Sequence, residues 1–466
     1  MNFADLRFWQ LLLAGVTLIC LIRICVLGIL PELSGTFDKL ALLGLGLFLL
    51  SCVGRTTFTV FLVVAVTTWG GLAWIMKYHS NHARKYLLML IALQFLPLFY
   101  FKYANFVANQ VLELNMPRLH NLLIPVGISF YTFQKVAFVI DTLAFRQPLP
   151  PFLDFMNFAS FFPQIVAGPI ERRQNLLPQV QGFQFKWSPR DIDEGARWIV
   201  VGLFFKCCLA DNLARYVDTA PSENPYLIWL ANLLFGLRIY YDFAGYSLVA
   251  VGLARCLGVR LTLNFTSPYC ATSITEFWRR WHITLSQWFR DYLYIPLGGG
   301  RTRWWAGVVA VVFIASGFWH GAGWNFMFWG ALHASYLIFN RTAAKVPVPS
   351  LLGWALTMLA TFFAWLCFYE RRTDVLFSKI AVLLGPANYD ADHLRAALTD
   401  LANPHGLVLA SFLAVMSAVM SMEWLSIRRK SEPYYYLRQN GVGMALVILT
   451  VLLAPGKNNA FIYFAF

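Results

Sequence analysis

Residues 264–305 read NFTSPYCATSITEFWRRWHITLSQWFRDYLYIPLGGGRTRWW, and after a short apolar run residues 317–324 close the stretch as GFWHGAGW. His282, His320 and the arginines Arg279, Arg280, Arg290, Arg301 and Arg303 stand there among tryptophans, in a chain of 466 residues that is 59% hydrophobic and 13% charged. An ionisable side chain within or against a bilayer is costly unless it is paired or faces a water-filled cavity, so polar residues in such surroundings point to function.

The mean hydropathy of +0.58 and apolar runs of about 17 to 23 residues along the whole length indicate a polytopic membrane protein. Lys and Arg number 37 against 23 Asp and Glu. The basic residues fall in short inter-span clusters such as Arg172-Arg173, Arg371-Arg372 and Arg428 to Lys430. That is the pattern of loops retained on the cytoplasmic side, and it excludes a nucleic-acid-binding face. The 8 cysteines never form a CxxC pair, so neither a disulfide framework nor a metal site is expected. The first apolar run carries Arg23 and no clear small-residue cleavage site, which argues against a cleavable signal peptide.

Taken in order, residues 8–30, 40–53, 57–76 and 86–101 predict N-terminal spans. From Leu122 the chain is apolar but broken by Pro125, Gly127, Gln134, Lys135 and Asp141, a texture tolerated at membrane depth only where protein or a cavity covers the backbone. Residues 155–179 end an apolar run at Gly168-Pro169 and leave Glu171 able to pair with Arg172 or Arg173. Residues 195–211 and 226–258 predict further spans. Asp242 in the second needs a partner, and Arg238 lies four residues earlier on the same helical face. Residues 324–340, 351–369, 375–385, 406–426 and 441–454 supply the remaining apolar runs. The expected fold is therefore all-α and polytopic, with about 10 to 12 transmembrane or re-entrant helices. It is read as a single domain over 1–466, with N-terminal spans 1–105, a core at about 120–340 and C-terminal spans 350–466.

Ser273 to Glu276 forms a capping-box pattern that starts a helix. Continued through Arg290, that helix places Trp278, Trp281, Leu285 and Trp288 on one face and Arg279, His282, Ser286 and Arg290 on the other. This predicts an interfacial helix whose arginines either anchor it or receive the phosphates of an acyl donor. The run Ala306 to Trp319 would be only about 21 Å long as a helix, short of a hydrocarbon core of roughly 30 Å. His320 at its end, among Gly317, Gly321 and Gly323, therefore falls near membrane depth. A buried imidazole stays neutral and can accept a proton; the competing reading is a core histidine bonded to a helix carbonyl. His333 is a second candidate in an ordinary helical setting. With no GxSxG elbow and no cysteine beside a histidine, a covalent acyl-enzyme is not indicated.

These residues carry a resemblance. WRRWHITLSQWFRDYLYIPLGG (278–299) and GFWHGAGWNFMFWGALH (317–333) closely resemble the bacterial branch of the membrane-bound O-acyltransferase (MBOAT) family. The branch is that of the membrane subunits of alginate and exopolysaccharide O-acetylation, related to the D-alanyl transfer protein of teichoic acid synthesis. PVGISFYTFQ (125–134), SFFPQIVAGPIERRQNLLPQ (160–179), DFAGYS (242–247), NFTSPY (264–269) and FIYFAF (461–466) are similar too. Gly300 replaces a frequent asparagine, Ala465 replaces a glutamine, and the first hundred residues match poorly.

The resemblance implies helices around a central tunnel in the bacterial inner (plasma) membrane, where a cytoplasmic thioester meets an acceptor on the far side. It implies that His320 is catalytic and His282 is the second essential polar residue. Candidates for donor binding or tunnel lining are Arg279, Arg280, Trp281, Ser286, Arg290, Asp291, Trp319, Trp324 and Asn325. Acetyl-CoA or another acyl thioester would be the substrate, with no cofactor and no metal. A periplasmic acetyltransferase or esterase-like partner and a polysaccharide would complete the system, with no nucleic acid involved. D-alanyl transfer from a carrier protein is the alternative within the class. A transporter or export channel using the histidines as a proton relay is the alternative outside it, and would call for internal repeats.

Overall fold

The computed structural model describes residues 3–29, 31–79, 82–114, 124–217, 223–343, 346–402, 404–455, 459 and 461–462. Residues 463–466 of FIYFAF, Leu122 and Asn403 lie outside the described residues. All regular structure among the described residues is helical. The apolar, unbroken runs form helices because a backbone in lipid must satisfy its own hydrogen bonds. Seven are long and apolar enough to cross a membrane, so the chain is a multi-pass membrane protein. They include α1 (Leu6–Ile29), α2 (Ser34–Ser51), α3 (Arg55–Tyr78) and α4 (Ala83–Leu98, continuing in wider turns to Val111). Shorter helices, several of them buried, account for the rest.

The chain divides into two compact units, Met1–Ile199 with Tyr246–Leu263, and Val200–Gly245 with Asn264–Phe466. In the first, Arg23 pairs with Asp38 at 2.8 Å and Lys39 with Asp154 at 2.8 Å, while buried Lys135 stands over the Phe61 and Tyr131 rings at 4.2 and 4.5 Å. The polar-spotted segment from Ile128 to Leu143 forms α5, buried almost throughout. Glu171 feels the charge of the adjacent Arg172 and is held by two further groups. It accepts the Thr262 backbone N–H and the Asn175 amide, while Arg173 donates to Thr142 Oγ1 at 2.8 Å and to the Pro148 carbonyl. Burial pushes the Glu171 carboxyl above its ordinary range, against the pull of the Thr262 and Asn175 donors. Helix α6 (Pro189–Leu203) approaches the end of α7 (Pro225–Cys256) at Gly195 and Gly252, where either Cβ would stand 2.6 Å from the other's carbonyl oxygen.

The second unit holds the first part of α7 and the short pair α8 (Ile274–Arg280) and α9 (Ile283–Phe289). The hairpin α10 (Trp305–His320) and α11 (Trp324–Thr342) follows, then α12 (Ser350–Tyr369), α13 (Pro404–Arg428) and α14 (Asn440–Leu453). Asp242 here is paired with Lys206 Nζ at 2.7 Å, not with Arg238. The nearer cation by sequence is displaced by one brought in from another helix.

Candidate active site

The capping box forms. Ser273 Oγ accepts the Glu276 N–H at 3.2 Å, and the Glu276 carboxylate reaches back to the Thr272 N–H at 2.8 Å. Burial pushes the Glu276 carboxyl up, but donors from Thr272 and Arg280 outweigh it and hold the group below its ordinary value. The single amphipathic helix expected from Ser273 to Arg290 does not form. It breaks between Trp281 and Ile283, where His282 takes the left-handed conformation, φ 40° and ψ 55°. A non-glycine residue persists there only when its surroundings over-determine it.

The surroundings are residues 264–266. Thr266 N–H donates to the Arg280 carbonyl at 3.1 Å and Ile283 N–H donates to the Asn264 carbonyl at 2.9 Å. Thr284 Oγ1 donates to Asn264 Oδ1 at 2.6 Å, and Arg280 Nη1 to the Thr266 carbonyl at 3.1 Å. His282 is thus bracketed by backbone bonds on both sides. Its ring leaves the cationic face for the interior, where it is 0% exposed. Burial lowers the imidazole from 6.5 to about 3, so it is neutral at any physiological pH.

His320 is the last residue of α10 and 3% exposed. Glycines place it there. A Cβ on Gly317 would lie 2.1 Å from the Phe326 carbonyl oxygen, and one on Gly330 would lie 2.3 Å from the Phe313 carbonyl oxygen, so α10 and α11 pack backbone to backbone. Its ring lies 4.9 Å from Trp319, 5.2 Å from Trp329 and 5.2 Å from Phe368, edge to face in each case. Trp319 also lies 5.9 Å from His282, and Phe243 covers His282 at 4.7 Å. The two histidines therefore share one aromatic neighbour, Trp319. Standing at a helix C-terminus, His320 faces the negative end of the dipole, which favours the positive charge that forms when the ring takes a proton.

Beside them lies a cavity of about 770 Å³, rimmed by Arg279, Arg290 and Arg341 and otherwise mostly apolar, with Trp278, Phe289, Val312 and Phe313 in its wall. Ile283, next to His282, and Ser316, one helical turn before His320, also line it. Neither imidazole lines the cavity; both are packed among aromatic rings. Of the residues expected to line a donor path, Arg279, Ser286 and Arg290 line this cavity. Arg290 also pairs with Asp291 at 2.7 Å. Arg280 is held by Glu276 at 2.7 Å and Trp281 is buried at 1% exposure. Trp324 is an exposed surface residue. Asn325 donates to the Cys367 carbonyl at 2.7 Å, tying α11 to α12. His333 accepts from Trp278 Nε1 at 3.3 Å within a buried ring cluster, a structural role.

Four contributors went unread in the sequence. Asn264 and Thr266 set the His282 backbone through bonds that no local pattern reveals. Arg341, stacked 4.2 Å over Trp305 and donating to the Gly300 carbonyl at 3.1 Å, comes from the far end of α11. Lys206, a cation inside the apolar run FFKCCLA, was visible as a signal of its own.

The chain is thus a multi-pass helical membrane protein with two buried histidines near a largely apolar cavity lined by three arginines. The comparisons name the family. The model of the MBOAT, membrane-bound O-acyltransferase family, matches residues 47–369, reaching further toward the N-terminus than the motifs alone. The chain is 30% identical over 420 residues to the peptidoglycan O-acetyltransferase of Helicobacter pylori, covering 79% of this chain and 80% of that protein. It is 33% identical over 373 residues to the probable alginate O-acetylase AlgI of Pseudomonas aeruginosa, covering 76% and 69%. The teichoic acid D-alanyltransferase of Bacillus subtilis is 29% identical over 271 residues, covering 53% and 68%. The chain belongs to the membrane-bound O-acyltransferase family. It is an O-acyltransferase, which sets the transporter alternative aside.

Proposed function

We propose that this enzyme takes an acetyl group from a thioester donor on the cytoplasmic side of the bacterial inner membrane and passes it outward for O-acetylation of a cell-surface polysaccharide. The observation that carries the reading is the juxtaposition of His282, Trp319 and His320 behind a cavity rimmed by three arginines. Guanidinium groups suit the phosphates of coenzyme A or of a phosphopantetheine arm, and the apolar wall suits the arm and acyl chain.

His320 acts as general base. It accepts the proton of the acceptor hydroxyl as that oxygen attacks the thioester carbonyl, and it returns the proton to the departing thiolate. Neutral His282 donates an N–H toward the carbonyl oxygen as charge develops there, a task an uncharged imidazole performs. A general base contributes about 10²- to 10⁴-fold, and the thioester is already activated, so the reading invokes no metal and no cofactor. For an acyl group to reach either imidazole, the ring packing around Trp319 must open. An esterase-like periplasmic partner completes transfer to the polymer.

The relatives favour acetyl over D-alanyl, since those named for acetylation match over more of the chain. The test uses inverted membrane vesicles carrying the protein, with labelled acetyl-CoA outside. Label reaching polysaccharide in the lumen, lost in His320→Ala, supports the reading. Label delivered only from a D-alanyl carrier protein moves the enzyme to the alternative, and transfer that survives in His320→Ala removes the proposed base.

A further inference from the structure

Three buried charges in the second unit take no part in that chemistry. Lys206 Nζ lies 2.8 Å from Asp211 Oδ1 and 2.7 Å from Asp242 Oδ1, with all three side chains 3% exposed or less. Gly245 permits the contact: a Cβ there would stand 2.8 Å from the Lys206 nitrogen and 2.7 Å from the Gly202 carbonyl oxygen. One cation between two carboxylates leaves excess negative charge, and buried carboxylate oxygens call for further donors.

A segment distant in sequence supplies them and is held in return. Ile462 N–H donates to Asp242 Oδ2 at 2.6 Å, and Lys206 Nζ donates to the Asn459 carbonyl at 3.1 Å. Asn459 Nδ2 donates to the Asp211 carbonyl at 3.2 Å, and Asn212 Nδ2 to the Leu453 carbonyl at 2.8 Å. The segment so gripped carries Phe461, 1% exposed, whose ring lies 5.5 Å from Phe243. Phe243 follows Asp242 on α7 and is the ring that covers His282 at 4.7 Å.

We propose that Lys206, Asp211 and Asp242 form a latch for Asn459, Phe461 and Ile462, and that through Phe461 and Phe243 this latch positions the His282 ring. The three charges are positioning residues. The consequence for turnover rests on the catalytic reading of His282; the mechanical link does not.

The test uses the full chain in lipid nanodiscs, with histidine labelled at the ring carbon so that His282 is observed directly. Ile462→Pro removes one N–H and leaves the three charges in place, and Phe461→Ala removes one ring. Both should shift the His282 ring resonance and lower kcat for acetyl-CoA hydrolysis by about 10- to 100-fold, the effect of a displacement of about 1 Å. KM for acetyl-CoA should stay at its wild-type value. The unfolding midpoint should fall, because Phe461 is buried and Ile462→Pro strands an Asp242 oxygen, but kcat is compared at a temperature where both variants are folded. Lys206→Arg should retain activity that Lys206→Met loses. An unmoved His282 resonance in both variants, or a fall in kcat that only follows loss of folded protein, would overturn the latch. A shifted resonance in a protein whose His282→Ala variant is fully active would keep the latch and remove His282 from catalysis.

Discussion

Replacing Asn264 with alanine should weaken the hold on His282 without touching the histidine. The left-handed backbone at His282 (φ 40°) costs on the order of 1–3 kcal/mol for a residue with a side chain. Asn264→Ala leaves the backbone bonds at Arg280 and Ile283 in place but strands the Thr284 hydroxyl, 4% exposed. A buried group left without its partner costs about 1–3 kcal/mol. The two terms are of equal size, so the variant shifts the balance toward the straight helix that the amphipathic pattern of residues 274–290 favours by itself. Each 1.4 kcal/mol is tenfold, so kcat for acetyl-CoA hydrolysis should fall by roughly 10- to 100-fold. Thr284→Val added to Asn264→Ala removes the stranded hydroxyl and should restore the unfolding midpoint while kcat stays low. Wild-type kcat in Asn264→Ala would refute the reasoning, as would joint recovery of kcat and midpoint in the double variant.

Arg279→Gln and Arg341→Gln should raise KM for acetyl-CoA with little change in kcat, and added salt should mimic them in the wild type; Arg341→Lys should not rescue, because the stacking on Trp305 needs the guanidinium plane. Gly317→Ala should lower the unfolding midpoint, since its Cβ would meet the Phe326 carbonyl oxygen at 2.1 Å and overpacking costs about 1–3 kcal/mol; a wild-type midpoint would show that α10 and α11 can separate freely. For pH, His282 titrates near 3 when folded against 6.5 when free. The unfolded chain therefore binds a proton that the folded one does not between those values, so stability is intact above about pH 6.5 and declines as pH falls toward 3. In His282→Gln that share of the acid sensitivity should disappear, a difference seen in midpoints measured across pH.

What the sequence made legible was what local chemistry decides. The Ser273 cap, the long apolar spans and the short α10 ending at His320 all follow from patterns within one or two turns. The break at His282 was hidden because residues 274–290 alone favour continuing the helix, and only Asn264 and Thr266, arriving from another part of the chain, interrupt it. The Asp242 partner was misread for the same reason: Arg238 is near in sequence, but Lys206 is near in space. Arg280, Trp281 and Asn325 carry the right chemistry for a site and are occupied by Glu276, aromatic packing and the Cys367 carbonyl. Spacing along a helix cannot reveal that occupation.

The central claim is that two buried imidazoles, joined through Trp319, act on one thioester. Single-turnover hydrolysis of acetyl-CoA by purified protein in nanodiscs measures it most directly, comparing wild type, His282→Ala, His320→Ala and the double variant. Residues serving one transition state are not additive, so the double variant should be no slower than the worse single one while donor binding persists in all four. Independent, multiplicative losses, or turnover unaffected by either change, would contradict the account.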